Sequence, residues 1–106
     1  MVSSVFKALS DPTRRRVLEL LKAHPMSAGD LADQFAVSKP TMSAHFAVLR
    51  EAGLIVAEKR GKSMIYTLQM SVLEEALLKF AQAFGLKLST SKSVRAKDLA
   101  REVPDR

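Results

Sequence analysis

Cysteine is absent from the 106 residues, which excludes disulfides and thiolate metal sites and gives no support to an oxidising compartment. No apolar run approaches the ~20 residues that a bilayer span needs. The N-terminus, MVSSVFKALSDPTRRR, lacks the charge-then-apolar order of a signal peptide. A cytoplasmic protein without membrane insertion is the expectation. No nucleophile, base and orienter set is visible, nor a phosphate-cradling glycine loop, nor a cluster of metal ligands, so an enzyme is the weakest functional class.

What is present is apolar and basic. Hydrophobic residues make up 47% of the chain, enough for one compact core at this length. Lys and Arg number 17 against 11 Asp and Glu, a formal charge of +6, and the pI is ≈ 10.0. That balance favours a polyanionic partner, although many basic proteins bind no nucleic acid. A single domain is expected over residues 1–88, with a polar basic tail over 89–106 in which 94–103 can form a loose helix.

The segment SKPTMSAHFAVLR organises the rest. As a helix it carries Met42, Phe46 and Leu49 at i, i+4 and i+7, the spacing of a core-facing stripe. Steps of 100° gather Lys39, Ser43, Ala47 and Arg50 on another side. Small side chains allow close approach to a surface, and Lys, Ser and His supply donors for phosphates and base edges. Ser38, Lys39, Thr41, Ser43, Ala44, His45 and Arg50 are therefore the candidate recognition residues. An ordinary solvated helix face is the plain alternative.

Upstream, VSSVFKAL places Val2, Val5, Phe6 and Leu9 on one side of a helix too short to stand alone. Asp11 then reads as an N-cap, with Pro12 at the first helical position, for a helix that buries Val17, Leu18, Leu20 and Leu21 and stops before Pro25. Arg14, Arg15 and Arg16 within it suggest phosphate contacts, but consecutive helical residues point in three directions, which favours a solvated face with one arginine paired to a nearby acid. Ser27 caps a short helix over AGDLADQF that buries Leu31 and Phe35. A tight turn and the capped SKPTMSAHFAVLR helix complete a helix-turn-helix pattern.

Gly53 can end that helix. Residues 54–59 and 63–68 follow as short strands, with Met64, Tyr66 and Leu68 alternating on the better-buried face and Gly61 supplying the turn. Lys59, Arg60 and Lys62 then stand at the tip of a cationic hairpin, a wing able to reach phosphates or a minor groove. Ser71 can cap a last helix, in which Leu73, Leu77, Phe80 and Phe84 form one stripe broadened by Val72, Ala76, Ala81, Ala83 and Leu86. That is more apolar surface than a small domain covers by itself. Val2, Val5, Phe6, Leu73, Leu77, Phe80 and Phe84 are the expected homodimer interface, with folding back onto the chain's own core as the alternative.

These residues resemble the ArsR-type winged helix-turn-helix repressors. FKALSDPTRRRVLELL and SAGDLADQFAVSKPTMSAHFAVLREAGLIVAEKRGKSMIYTL carry the resemblance, and the SdpR-like autorepressor branch shares their pattern without a cysteine sensor. The resemblance implies a mainly α fold with a small β-hairpin wing, a homodimer through terminal helices, and double-stranded DNA bound at an imperfect palindrome. It assigns groove reading to Lys39, Thr41, Ser43 and His45, capping to Ser38, and the wing to Lys59, Arg60 and Lys62. The helical wheel places His45 beside the core stripe instead. Metal-sensing relatives need ligands this chain does not offer: Glu74 and Glu75 have no histidine beside them, and His24 and His45 lie on different predicted helices. No metal or other cofactor is expected. A protein-interaction adaptor on the same scaffold is the second reading, and the cationic hairpin discriminates, because an adaptor has no use for it. Relief of repression by a ligand or by a sequestering protein partner stays open.

Overall fold

The computed structural model describes residues 2–87. The tail expected from residue 89, and the loose helix within it, lie outside the described residues. Five helices and three strands follow in the order α1 (Val2–Leu9), α2 (Pro12–Ala23), β1 (Met26–Ser27), α3 (Ala28–Ala32), α4 (Lys39–Glu51), β2 (Ile55–Arg60), β3 (Ser63–Leu68) and α5 (Met70–Ala83). The fold is mainly helical with a small wing, as expected.

Polar side chains set most helix starts. Asp11 accepts a hydrogen bond from the Arg14 N–H at 3.0 Å, and Pro12 occupies the first turn, where no intrahelical partner is lost. Ser27 does the same for α3, accepting from the Asp30 N–H at 3.0 Å. At its other end α4 closes in a Schellman arrangement: Gly53 N–H donates to Arg50 O at 2.9 Å and Leu54 N–H to Leu49 O at 3.1 Å. Gly53 sits at φ +79°, a conformation L side chains rarely adopt.

Three local expectations are corrected. The helix α3 stops at Ala32, so half-buried Phe35 belongs to the following turn. Ser71 does not cap α5, which starts at Met70 after Gln69 with no side-chain cap, and it ends at Ala83. The sheet has a third strand: β1 pairs with β3 through Met26 opposite Tyr66 and Ser27 opposite Ile65, giving the antiparallel order β1-β3-β2. Two residues after Pro25 are too few for alternation to reveal a strand.

The core is one cluster under the sheet. Val17, Leu31, Met42, Leu49, Leu54 and Ile55 are its most completely buried large side chains, and Phe46 stacks against Tyr66 at 4.9 Å between ring centroids. Val5 is 2% exposed and belongs to this core. It is therefore removed from the expected dimer interface, because α1 turns that side inward against its own chain. Leu73 also packs, half-buried, against the core. Among the described residues no helix is long and apolar enough to cross a membrane.

Candidate nucleic-acid interface

The interface is built on α4. Ser38 has extended backbone, φ −65° and ψ 154°, and its Oγ accepts from the Thr41 N–H at 3.3 Å while donating to Thr41 Oγ1 at 3.0 Å. One hydroxyl thus satisfies an otherwise orphan N–H and orients the threonine beside it. Met42, Phe46 and Leu49 anchor the helix from below. Lys39, Thr41, Ser43, Ala44 and Arg50 are all exposed, so five of the seven candidate side chains reach solvent from α4 itself, and Ser38 stands exposed at its cap.

Lys39, Ser43 and Arg50 run along one flank of α4 and face the small residues Ala28, Gly29 and Ala32 of α3. Between them lies an open cleft of ≈ 340 Å³ floored by Met42, Phe46 and Tyr66. Opposite the core stripe the helical wheel puts Pro40 and Ala44, both exposed, with half-buried Ala47 beside them and exposed Glu51 at the far end. A small-residue ridge with hydroxyl and cationic flanks is a shape that enters a groove without clash and donates at its sides.

His45 is not brought onto that surface. Its side chain is 15% exposed and turned toward the start of α2, with Nδ1 at 3.1 Å from Arg14 Nη1 and Nε2 at 3.9 Å from Asp11 Oδ2. The helical wheel and the structure agree here, against the groove-reading role that the resemblance implied.

The wing is a two-residue hairpin. Arg60 pairs opposite Ser63, leaving Gly61 and Lys62 as the central turn residues. Gly61 has φ +61° and Lys62 does not have positive φ, the pattern of a type II′ turn with glycine at its first central position. Lys59, Arg60 and Lys62 are exposed, and Arg60 Nη2 pairs with Glu58 Oε1 at 3.2 Å. Both partners are largely solvated, so that pair is weak and leaves the guanidinium available.

The arginine cluster of α2 is in large part the expected solvated face, with Arg15 and Arg16 exposed and Arg14 half-buried. Arg14 Nε donates to Ala8 O at 2.8 Å and Nη2 to Lys7 O at 3.0 Å, while Arg15 Nη1 donates to Leu9 O at 2.8 Å. Arg16 pairs with an acid as expected, Glu19 at 3.0 Å. The Ser10-Asp11-Pro12 corner brings the first turn of α2 under the last carbonyls of α1. A helix end followed so closely by arginine is the signal that could have found this.

The expected dimer residues divide. Leu77, Phe80 and Phe84 are exposed, the last at 68%, as is Leu86 beyond the helix, while exposed Leu78 lies on the polar side with Glu74 and Glu75. Phe6 is half-buried against Phe80, with ring centroids 5.1 Å apart, and Phe80 lies 4.9 Å from Phe84. The side chain of Val2 lies outside the described residues. Among the described residues no group of three or more His, Asp or Glu stands close enough to hold a metal ion.

A model of the helix-turn-helix domain matches residues 9–57. The chain is similar to the transcriptional repressor SdpR of Bacillus subtilis (strain 168), 43% identical over 76 residues that cover 72% of this chain and 84% of that protein. It is similar to the arsenical resistance operon repressor of Staphylococcus xylosus at 36% identity over 73 residues, 69% of this chain and 70% of that one. Among solved structures, a possible transcriptional regulator for arsenical resistance matches with a TM-score of 0.67 at 30% identity, covering 94% of this chain and 93% of the other. An ArsR-like transcriptional regulator from Rhodococcus sp. RHA1 matches at 0.69 and 31%, covering 79% and 78%. A capped recognition helix, a cationic hairpin and these relatives lead to one conclusion: the chain belongs to the ArsR-type winged helix-turn-helix family of transcriptional repressors.

Proposed function

We propose that the chain silences a promoter, its own among the candidates, by gripping an imperfect DNA palindrome as a homodimer in the cytoplasm. The observation that carries this is the outer surface of α4: a ridge of small residues flanked by Lys39, Thr41, Ser43 and Arg50, all exposed on a helix whose other side is locked into the core. Such a helix is held rigidly while its reading surface stays free. Side chains near its N-terminus select bases, and lysines and arginines fix register on phosphates. Lys59, Arg60 and Lys62 at the wing add phosphate or minor-groove contacts.

The uncovered apolar patch on α5 supports pairing. Fully burying a large apolar side chain contributes roughly 1.5 to 3 kcal/mol, and the single chain leaves Phe84 mostly in water and Leu77 and Phe80 partly so. A second copy placed there sets two recognition helices about one helical turn apart, roughly 34 to 36 Å, the spacing of palindromic half-sites. A protein that covers the same patch or the α4 surface would relieve repression.

Fluorescence anisotropy against duplex from the chain's own upstream region, repeated across salt, tests the proposal. Binding that prefers this duplex over random sequence and weakens steeply with salt supports it. Equal affinity for both contradicts it.

A further inference from the structure

Arg14 stands where three helices meet, and the DNA-binding role described above makes no use of it. Its backbone N–H donates to Asp11 Oδ2 at 3.0 Å in the first turn of α2. Its side chain folds back, with Nε on Ala8 O at 2.8 Å and Nη2 on Lys7 O at 3.0 Å. Both carbonyls belong to the last turn of α1; Lys7 O also accepts from the Ser10 N–H at 3.1 Å and from Ser10 Oγ at 2.7 Å. The remaining nitrogen, Nη1, lies 3.1 Å from Nδ1 of His45, midway along α4. A guanidinium has donors only, so Nδ1 accepts and the ring proton sits on Nε2. Nε2 faces Asp11 Oδ2 at 3.9 Å, too far for a hydrogen bond and close enough for electrostatic attraction.

A planar fork is what this junction requires. Arginine presents donors in fixed directions and spans two helices at once, whereas lysine offers one compact ammonium on a flexible stem. The helix α1 leans in turn on α5 through Phe6 and Phe80. The fork therefore links the recognition helix to the helix pair that carries the apolar patch.

We infer that Arg14 is a positioning residue for DNA recognition: it fixes the seat of α4 against α1 through Nδ1 of His45, and His45 is the strut that receives it rather than a reader of bases. The inference rests on the DNA-binding role proposed above. A cation acting on phosphate works through charge and tolerates lysine. A strut works through geometry and does not.

Three variants separate these. Arg14→Lys keeps the charge and loses the fork, His45→Asn keeps an acceptor near the place of Nδ1, and His45→Leu removes it. Anisotropy on the upstream duplex and on random duplex gives a specificity ratio, thermal melts report the fold, and ¹⁵N NMR of the His45 ring reports its tautomer. The expected results are a ratio lowered about tenfold in Arg14→Lys and His45→Leu, the size of one or two lost hydrogen bonds. Random-duplex affinity should stay within about twofold, since the charge that governs it is kept in Arg14→Lys and the His45 side chain lies off the outer surface of α4. His45→Asn should keep both the ratio and the preferred sequence, and the wild-type ring should carry its proton on Nε2. An unchanged ratio in Arg14→Lys, a wild-type ring protonated on Nδ1, or a new sequence preference in His45→Asn overturns the inference. Wild-type protein that prefers no duplex overturns the DNA-binding role instead, while the ring tautomer still reports on the strut.

Discussion

Ser38 and Asp11 each hold the start of a helix that matters for DNA, and each does so with a single side-chain oxygen. Ser38→Ala leaves the Thr41 N–H and hydroxyl without their shared partner. It should cost about 1 kcal/mol, read as a melting temperature lower by roughly 4–8 °C for a domain of this size. Asp11 adds a pH dependence. The Arg14 N–H, above all, holds its carboxyl below the ordinary value of 3.8. The carboxylate is thus favoured in the fold, so its contribution is full above that ordinary value and fades as pH falls through the lower folded one. Thermal melts should show wild type keeping its advantage over Asp11→Asn at neutral pH and losing it as the pH falls below the ordinary carboxylate value, because the asparagine cap does not titrate there. A constant gap between the two would contradict this. These caps were legible in the sequence because capping is local, set by a side chain and an N–H three residues on. The contact between Arg14 and His45 was not, because 31 residues separate partners that only the packing of α2 against α4 brings together.

Among the elements, the hairpin and the end of α4 depend on backbone geometry that glycine supplies. At φ +79° Gly53 has Val72 as its nearest neighbour, 3.8 Å from where a Cβ would stand, so space is not the constraint. Gly53→Ala should nonetheless destabilise the fold by about 1–2 kcal/mol through left-handed strain, a loss that thermal or urea unfolding would report. At the wing, replacing Lys59, Arg60 and Lys62 by glutamine should leave the melting temperature nearly unchanged, since all three are solvated. The slope of log affinity against log salt should shrink by about 0.9 for each phosphate contact removed. An unaltered slope would mean that the wing does not touch DNA. Glycine positions, helical periodicity and strand alternation made α2, α4 and the hairpin readable beforehand. At α5 the sequence misleads, because Ser71 looks like a cap while the helix begins one residue earlier, at Met70, with no side-chain cap. A two-residue strand such as β1 owes its existence to the edge of β3, not to its own sequence.

For the whole molecule, the question is which apolar sides are left over once the chain has folded. Periodicity marked α1 and α5 as apolar but could not divide Val5, which the core consumes, from Phe84, which stays in water. That division is set by how α1, α5 and the sheet end up packed. A carboxylate at the most exposed of these positions, Phe84→Asp, should leave the monomer fold intact and block its burial against a second copy. Such a chain should sediment as a monomer and bind the upstream duplex at least about tenfold more weakly, since a lone recognition helix loses the second half-site. Sedimentation equilibrium of the wild-type chain with a labelled upstream duplex tests the pairing most directly. Two chains per specific duplex, and no comparable complex on random sequence, is the outcome a palindrome-binding repressor requires. One chain per duplex, or equal loading of both sequences, would contradict it.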